Sequence, residues 1–237
     1  MKAYHRKDRR RWKLLMVITN ELYMKDIAIF GAGGFGREVA CLINRINKVS
    51  PTWNFIGFFD DNEKLWGTKN EYGDVLGGIE KLNLWDRELD VAIAVGSPHV
   101  IKIIHGKIQN ANISFPNLID PSFEIIDVDN YKMGQGNIIQ RKSSISINVR
   151  IGSFNVFNGS DSVGHDTVIG DYNVIMPEVR ISGGVNIGNC NLLGVGSIVI
   201  QQITIGNNTT LAAGSALMTK IRKEGLYMGV PAKRIAL

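Results

Sequence analysis

The stretch Ser162–Val199, SVGHDTVIGDYNVIMPEVRISGGVNIGNCNLLGVGSIV, decides how this chain is read. Apolar residues return at every sixth position: Val163, Ile169, Ile175, Ile181, Ile187, Leu193, Val199. The same beat runs back through Phe157, Ile151, Ile145 and Ile139 to Met133, and forward through Ile205 and Leu211 to Leu217. All fifteen are apolar, where a chain that is 44% apolar would place about six or seven. Gly follows at 134, 152, 164, 170, 188, 194 and 206. The fourth residue after each apolar one is small, β-branched or Asn/Asp, as in Asn155, Asp161, Thr167, Asn173, Val179, Val185, Asn191 and Ser197. A period of six is neither the 3.6 of a helix nor the 2 of a lone strand. It predicts a parallel β-helix, whose short strands bury their apolar side only by stacking.

Upstream the rhythm differs. Asp26–Phe30 reads as a strand, Gly31-Ala-Gly33-Gly34-Phe-Gly36 as a glycine turn, and Arg37–Ile46 as a helix with Val39, Leu42, Ile43 and Ile46 on one face. A second strand, Asn54–Phe59, ends in Asp60-Asp61. A third, Asp90–Val95, ends in Gly96-Ser97-Pro98 before a helix over His99–Ile108. Strands alternating with helices predict a parallel sheet with ligands at the carboxyl ends of its strands. The expected organisation is a basic, disordered extension over 1–23, an α/β domain over 24–122 and a β-helix over 123–237. Met24, directly before a strand, would serve as a first residue.

The net charge of +5 does not signal nucleic acid. Residues 1–13 carry seven Lys/Arg and one Asp, which leaves the remaining 224 residues near −1. Leu14–Ile18 gives five consecutive apolar residues, too few for a signal peptide or a membrane span. Cys41 and Cys190 show no metal or disulfide spacing and read as small buried fillers, a usage that suits a reducing, cytoplasmic setting.

The glycine-loop domain, the hexapeptide run carrying His165-Asp166, and the ending Gly229–Ile235 (GVPAKRI) together resemble the hexapeptide-repeat acetyltransferases of the sialic-acid O-acetyltransferase and UDP-4-amino-sugar N-acetyltransferase type. The resemblance spans residues 25–237. It implies a Rossmann-like α/β domain followed by an all-β left-handed parallel β-helix with eighteen residues per coil. It further implies acetyl-CoA as co-substrate, a nucleotide-linked amino sugar as acceptor, and a homotrimer with its donor groove between neighbouring β-helices. His165, third in its hexapeptide, points outward, and Gly183 lies one coil later. The pattern suits acyl transfer: His165 as general base, Asp166 orienting its imidazole, and the Gly183 N–H facing the oxyanion. Gly183, Leu193, Gly194, Ala212, Ala213 and Gly214 are the implied donor-groove positions. Gly31, Gly34, Gly36, Asp60 and Asp61 are the implied nucleotide-sugar positions. One departure stands out, because relatives often carry a second His where this chain has Val174.

Two other activities fit parts of the pattern. Sugar O-acetylation would use the same His165. A NAD-dependent oxidoreductase fits Gly31-x-Gly33-x-x-Gly36 with Asp60 as the ribose-binding acid, although only one mononucleotide-binding half precedes the hexapeptide run.

Overall fold

The computed structural model describes residues 24–221 and 223–236; the expected basic extension, residues 1–23, lies outside them. The first domain contains β1 (Lys25–Phe30), β2 (Trp53–Phe59), β3 (Lys69–Asn70), β4 (Gly73–Gly77), β5 (Leu89–Ile93) and β6 (Ile113–Ser114). They form one sheet in the order β3-β4-β2-β1-β5-β6, parallel except for the edge strand β3. The order reverses at β1, so the crevice above the carboxyl ends of β1 and β5 is the switch point where such sheets take ligands. Helix α1 (Gly34–Val49) opens earlier than the periodicity indicates, because Gly33 serves as N-cap and its carbonyl accepts the Arg37 N–H at 3.1 Å. Its buried face is Val39, Ala40, Leu42 and Ile43. Cys41 falls on the opposite face and is exposed, contrary to the filler reading, whereas Cys190 is buried. Two further helices follow, α2 (Ile79–Asn83) and α3 (Pro98–Lys107). The sequence reading missed β3, β4, α2 and β6, which are too short to show a period.

The second domain is a left-handed parallel β-helix. Its rungs are two-residue strands stacked at an offset of eighteen: Val163 pairs with Ile145 and Ile181, Ile169 with Ile151 and Ile187, and Ile175 with Phe157 and Leu193. The sixth-residue column from Ile139 to Leu217 is buried throughout, and Met133 is partly buried. Burying an aliphatic side chain of this size stabilises by roughly 1.5–3 kcal/mol. The fourth-position column is buried too, which explains why it tolerates only small, branched or self-satisfying side chains. Asn137, Asn155, Asn173 and Asn191 form a ladder at one corner. The Nδ2 groups of Asn155, Asn173 and Asn191 donate to the Oδ1 one coil earlier at 3.1, 3.0 and 2.9 Å, and all four Oδ1 atoms also accept the backbone N–H one coil later. Every buried amide of the column is thereby paired.

The first coil breaks the register. Leu118–Ile119 pairs with Ile138–Ile139 and Glu124–Ile125 with Ser144–Ile145, offsets of twenty, before Lys132–Met133 and Arg150–Ile151 restore eighteen. The stack therefore starts at Leu118, ahead of residue 123. Outward residues of this face, Leu118, Ile138, Val156 and Val174, are buried in one core with the α/β domain. Asp120 on the first coil receives Arg45 of α1 through both carboxylate oxygens at 2.6 and 3.0 Å, and Ser122 through N–H and Oγ. Burial would raise the Asp120 pKa, but the Arg45 and Ser122 hydrogen bonds outweigh it and hold the group down at about 2. On the other side, His105 of α3 bonds the Tyr172 hydroxyl at 2.8 Å and stacks on Phe154. These contacts set the glycine-loop crevice in a defined position relative to the coils.

Candidate active site

The glycine loop follows β1 at the switch point. Gly31 sits at φ +112°, and a Cβ there would come within 2.6 Å of the Ala94 carbonyl oxygen. A Cβ at Gly36 would fall on the Gly31 carbonyl. Folding therefore demands these two glycines. Among the described residues, nothing beyond the adjoining residues and the α1 backbone lies within 4 Å of where a Cβ would be at Gly33 and Gly34, so the space above the start of α1 is open. The first turn of α1 carries no acidic residue and its N-cap offers no side-chain acceptor, which leaves N–H groups available to an anion. Asp60 is partly used by the loop itself: Oδ2 accepts the Ala32 N–H and Oδ1 the Asn62 N–H, both at 2.9 Å. Asp61 accepts the Ile79 N–H at 3.2 Å, at the start of α2. Asp60 thus accepts two backbone N–H groups and Asp61 one, and both sit at the carboxyl end of the sheet beside the glycine loop.

His165 and Asp166 lie in the turn after the Ser162–Val163 rung, and 61% and 54% of their side chains are exposed. His165 Nδ1 is 2.8 Å from Asp166 Oδ2. Asp166 adopts φ +58°, a left-handed conformation that Asp accepts more readily than most residues. Its second oxygen takes the Asn148 Nδ2–H at 2.7 Å from one coil below. The Asn148 hydrogen bond, and after it the one to His165, holds the Asp166 carboxyl below its usual range. The imidazole lies against Gly183: a Cβ there would be 2.5 Å from Nε2 and 2.6 Å from Cε1. Gly164 is bare for a related reason, since a Cβ there would come within 2.5 Å of the Gly183 nitrogen. Among the described residues, none accepts the Gly183 N–H. With Nδ1 turned to a carboxylate, the ring leaves Nε2 as the nitrogen that faces outward chemistry.

The remaining donor-groove positions do not join this cluster within one chain. Leu193, Gly194, Ala212, Ala213 and Gly214 belong to the corner before the Ser162–Val163 face, and His165 and Gly183 to the corner after it. Leu193 is fully buried in the coil interior and its carbonyl accepts the Met176 N–H, so it acts on the groove only by holding the corner in place. Val174 is buried in the core shared by the two domains, so here this position serves interdomain packing. Sequence reasoning missed Asn148; counting eighteen residues back from Asp166 would have found it.

An α/β domain joined to a left-handed β-helix carries an exposed histidine–carboxylate pair over a bare glycine, an arrangement chemically suited to acyl transfer. Residues 26–108 match the family described as the PglD N-terminal domain. The acetyltransferase domain of PglB from Neisseria gonorrhoeae, solved with acetyl coenzyme A, is 26% identical over 90% of this chain and 100% of its own, with a TM-score of 0.80. PerB from Caulobacter crescentus, solved with CoA and GDP-perosamine, is 24% identical over 89% of this chain and 97% of its own (TM-score 0.79). WeeI from Acinetobacter baumannii is 22% identical over 90% and 100% (TM-score 0.78); these last two likenesses speak for the fold. No curated protein matches the chain. The chain thus shares its two-domain architecture with acetyltransferases of known structure.

Proposed function

We propose that the protein transfers the acetyl group of acetyl-CoA to the amine of a nucleotide-linked amino sugar, with His165 as general base. The observation that carries this reading is the imidazole held between Asp166 and the bare backbone of Gly183. The attacking amine forms the new C–N bond while His165 Nε2 takes its proton. Asp166 steadies the resulting imidazolium. Charge on the thioester oxygen is met by the Gly183 N–H, a donor with no other partner among the described residues. As the C–S bond breaks, the imidazolium returns the proton to the departing thiolate. The pyrophosphate of the acceptor is assigned to the open N–H groups at the start of α1, with Gly31, Gly34, Gly36, Asp60 and Asp61 around it.

The separation of donor-groove positions between two corners supports a homotrimer, in which one copy's His165 corner meets a neighbour's Gly194–Gly214 corner. Light scattering tests this; a monomer that turns over substrate refutes it. Among the described residues no helix is long and apolar enough to cross a membrane, and both cysteines are free, which supports assignment to the cytoplasm. Acetyl-CoA turnover measured across UDP- and dTDP-linked amino sugars, with free sialic acid as the hydroxyl acceptor, tests the activity. Transfer to sialic acid alone would replace N-acetylation by O-acetylation on the same base.

A further inference from the structure

We infer that Asn148 is a positioning residue for the reaction, acting through Asp166 to fix which nitrogen of His165 carries the proton. The inference rests on the base assignment above, but its central measurement does not. Asn148, Asp166, Gly184 and Gln202 occupy one left-handed turn position in successive coils, at φ 54°, 58°, 67° and 61°. Side chains leaving a shared backbone conformation about 4.8 Å apart run side by side, so the Asn148 amide meets the Asp166 carboxylate. The contact is 2.7 Å to Oδ1, which leaves Oδ2 directed at His165 Nδ1. Gly184 presents no side chain from above. Among the described residues, His165 is the charged or titratable group within ion-pair reach of Asp166.

An exposed carboxylate with a single partner would rotate freely. Pinning one oxygen with an amide, which does not titrate, restrains the rotation and keeps the other oxygen on Nδ1–H. Nε2 then remains a lone-pair base facing Gly183. Without the amide, Asp166 spends time in solvent, and the ring proton is free to move to Nε2, where it abolishes the base.

The test uses the full chain. Asn148→Gly removes the amide while keeping a residue at ease with positive φ. Imidazole ¹⁵N shifts of His165 read the tautomer without substrate. The expected result is Nδ1–H in the wild type and a shift toward Nε2–H in Asn148→Gly. The kcat for acetyl transfer should fall roughly ten- to hundredfold, the range seen when an outer partner of a metal-ligating histidine is lost, with KM unchanged. Asn148→Asp adds a pH signature. At low pH its carboxyl is protonated and donates as the amide did; at higher pH two carboxylates repel. The ratio of Asn148→Asp to wild-type kcat should therefore fall as pH rises. Identical ¹⁵N shifts in wild type and Asn148→Gly would overturn the inference whatever the kinetics. If His165→Ala keeps full turnover, the base assignment fails, while the ¹⁵N comparison still decides whether Asn148 controls the ring proton.

Discussion

A methyl group at position 183 asks how closely the chemistry depends on where the imidazole sits. In Gly183→Ala the new Cβ would stand 2.5 Å from His165 Nε2, 2.6 Å from Cε1 and 2.9 Å from Cδ2. An ordinary carbon–nitrogen contact needs about 3.5 Å, so the ring must retreat by about 1 Å. It cannot do so freely, because Nδ1 is held by Asp166 at 2.8 Å. Either that bond breaks or Nε2 swings away from the acceptor. A misplacement of about 1 Å at a reacting group costs on the order of 10²-fold in rate, or about 2.7 kcal/mol in barrier. The fold should bear the change, because Gly183 is not among the positive-φ glycines and Ala can adopt its backbone. The assay is thiol release from acetyl-CoA with an amino-sugar nucleotide as acceptor, alongside thermal melting. The expected outcome is kcat down by about two orders of magnitude with Tm within a few degrees of wild type. Turnover within about threefold of wild type in a folded Gly183→Ala protein would refute the reasoning, since the ring position over Gly183 would then be irrelevant to the rate.

The other expectations follow from the same geometry. His165→Ala should cut kcat by roughly 10²–10⁴ with an unchanged melt, and near-normal turnover would remove it from the base role. Gly34→Val projects into open space above α1, so KM for the nucleotide sugar should rise while acetyl-CoA affinity holds. Calorimetric titration with a UDP-sugar and with NAD checks this, and tight NAD binding lost in the variant would favour the oxidoreductase. Asp120 titrates at about 2 against a usual 3.8, so its stabilising contribution is full above 3.8 and disappears as pH falls through about 2. The Tm gap between wild type and Arg45→Met should accordingly be widest above pH 3.8 and close toward about 2 in an acid melting series. Asp161 has the opposite sign. Burial pushes it up to about 7 despite the Val179 and Gly159 N–H groups it accepts, so its contribution is full below 3.8 and lost as pH rises through about 7. Asp161→Ser, matching Ser143 and Ser197 in the same column, should flatten the fall in Tm between pH 3.8 and about 7; an unchanged slope would show that Asp161 does not cause it.

Much of the architecture was legible because a β-helix repeats one local decision many times. Each sixth residue from Ile139 to Leu217 faces the interior, so core and solvent alternate along the chain with a period that hydrophobicity alone reveals. The glycine loop was legible for a similar reason: Gly31 and Gly36 answer to backbone contacts made within a few residues or by the adjoining strand. The eighteen-residue coil then led from His165 to Gly183, and the ring does lie over that glycine.

What the sequence could not supply depends on which distant atoms meet. Asp60 stands where a ribose-binding acid would, but only the fold shows its oxygens taken up by Ala32 and Asn62. The pairing of Arg45 with Asp120 crosses a domain boundary and a coil that holds two residues more than the repeat, so no period predicts it. Val174 occupies a place where hydrophobicity cannot distinguish a ligand wall from an interdomain core. The donor-groove residues share one repeat, yet they stand on two different corners of the prism. Periodicity records whether a residue faces inward or outward, a property of its own rung. Partnership depends on register between rungs and on the docking of one domain against another, and these were determined by the packing of the whole chain.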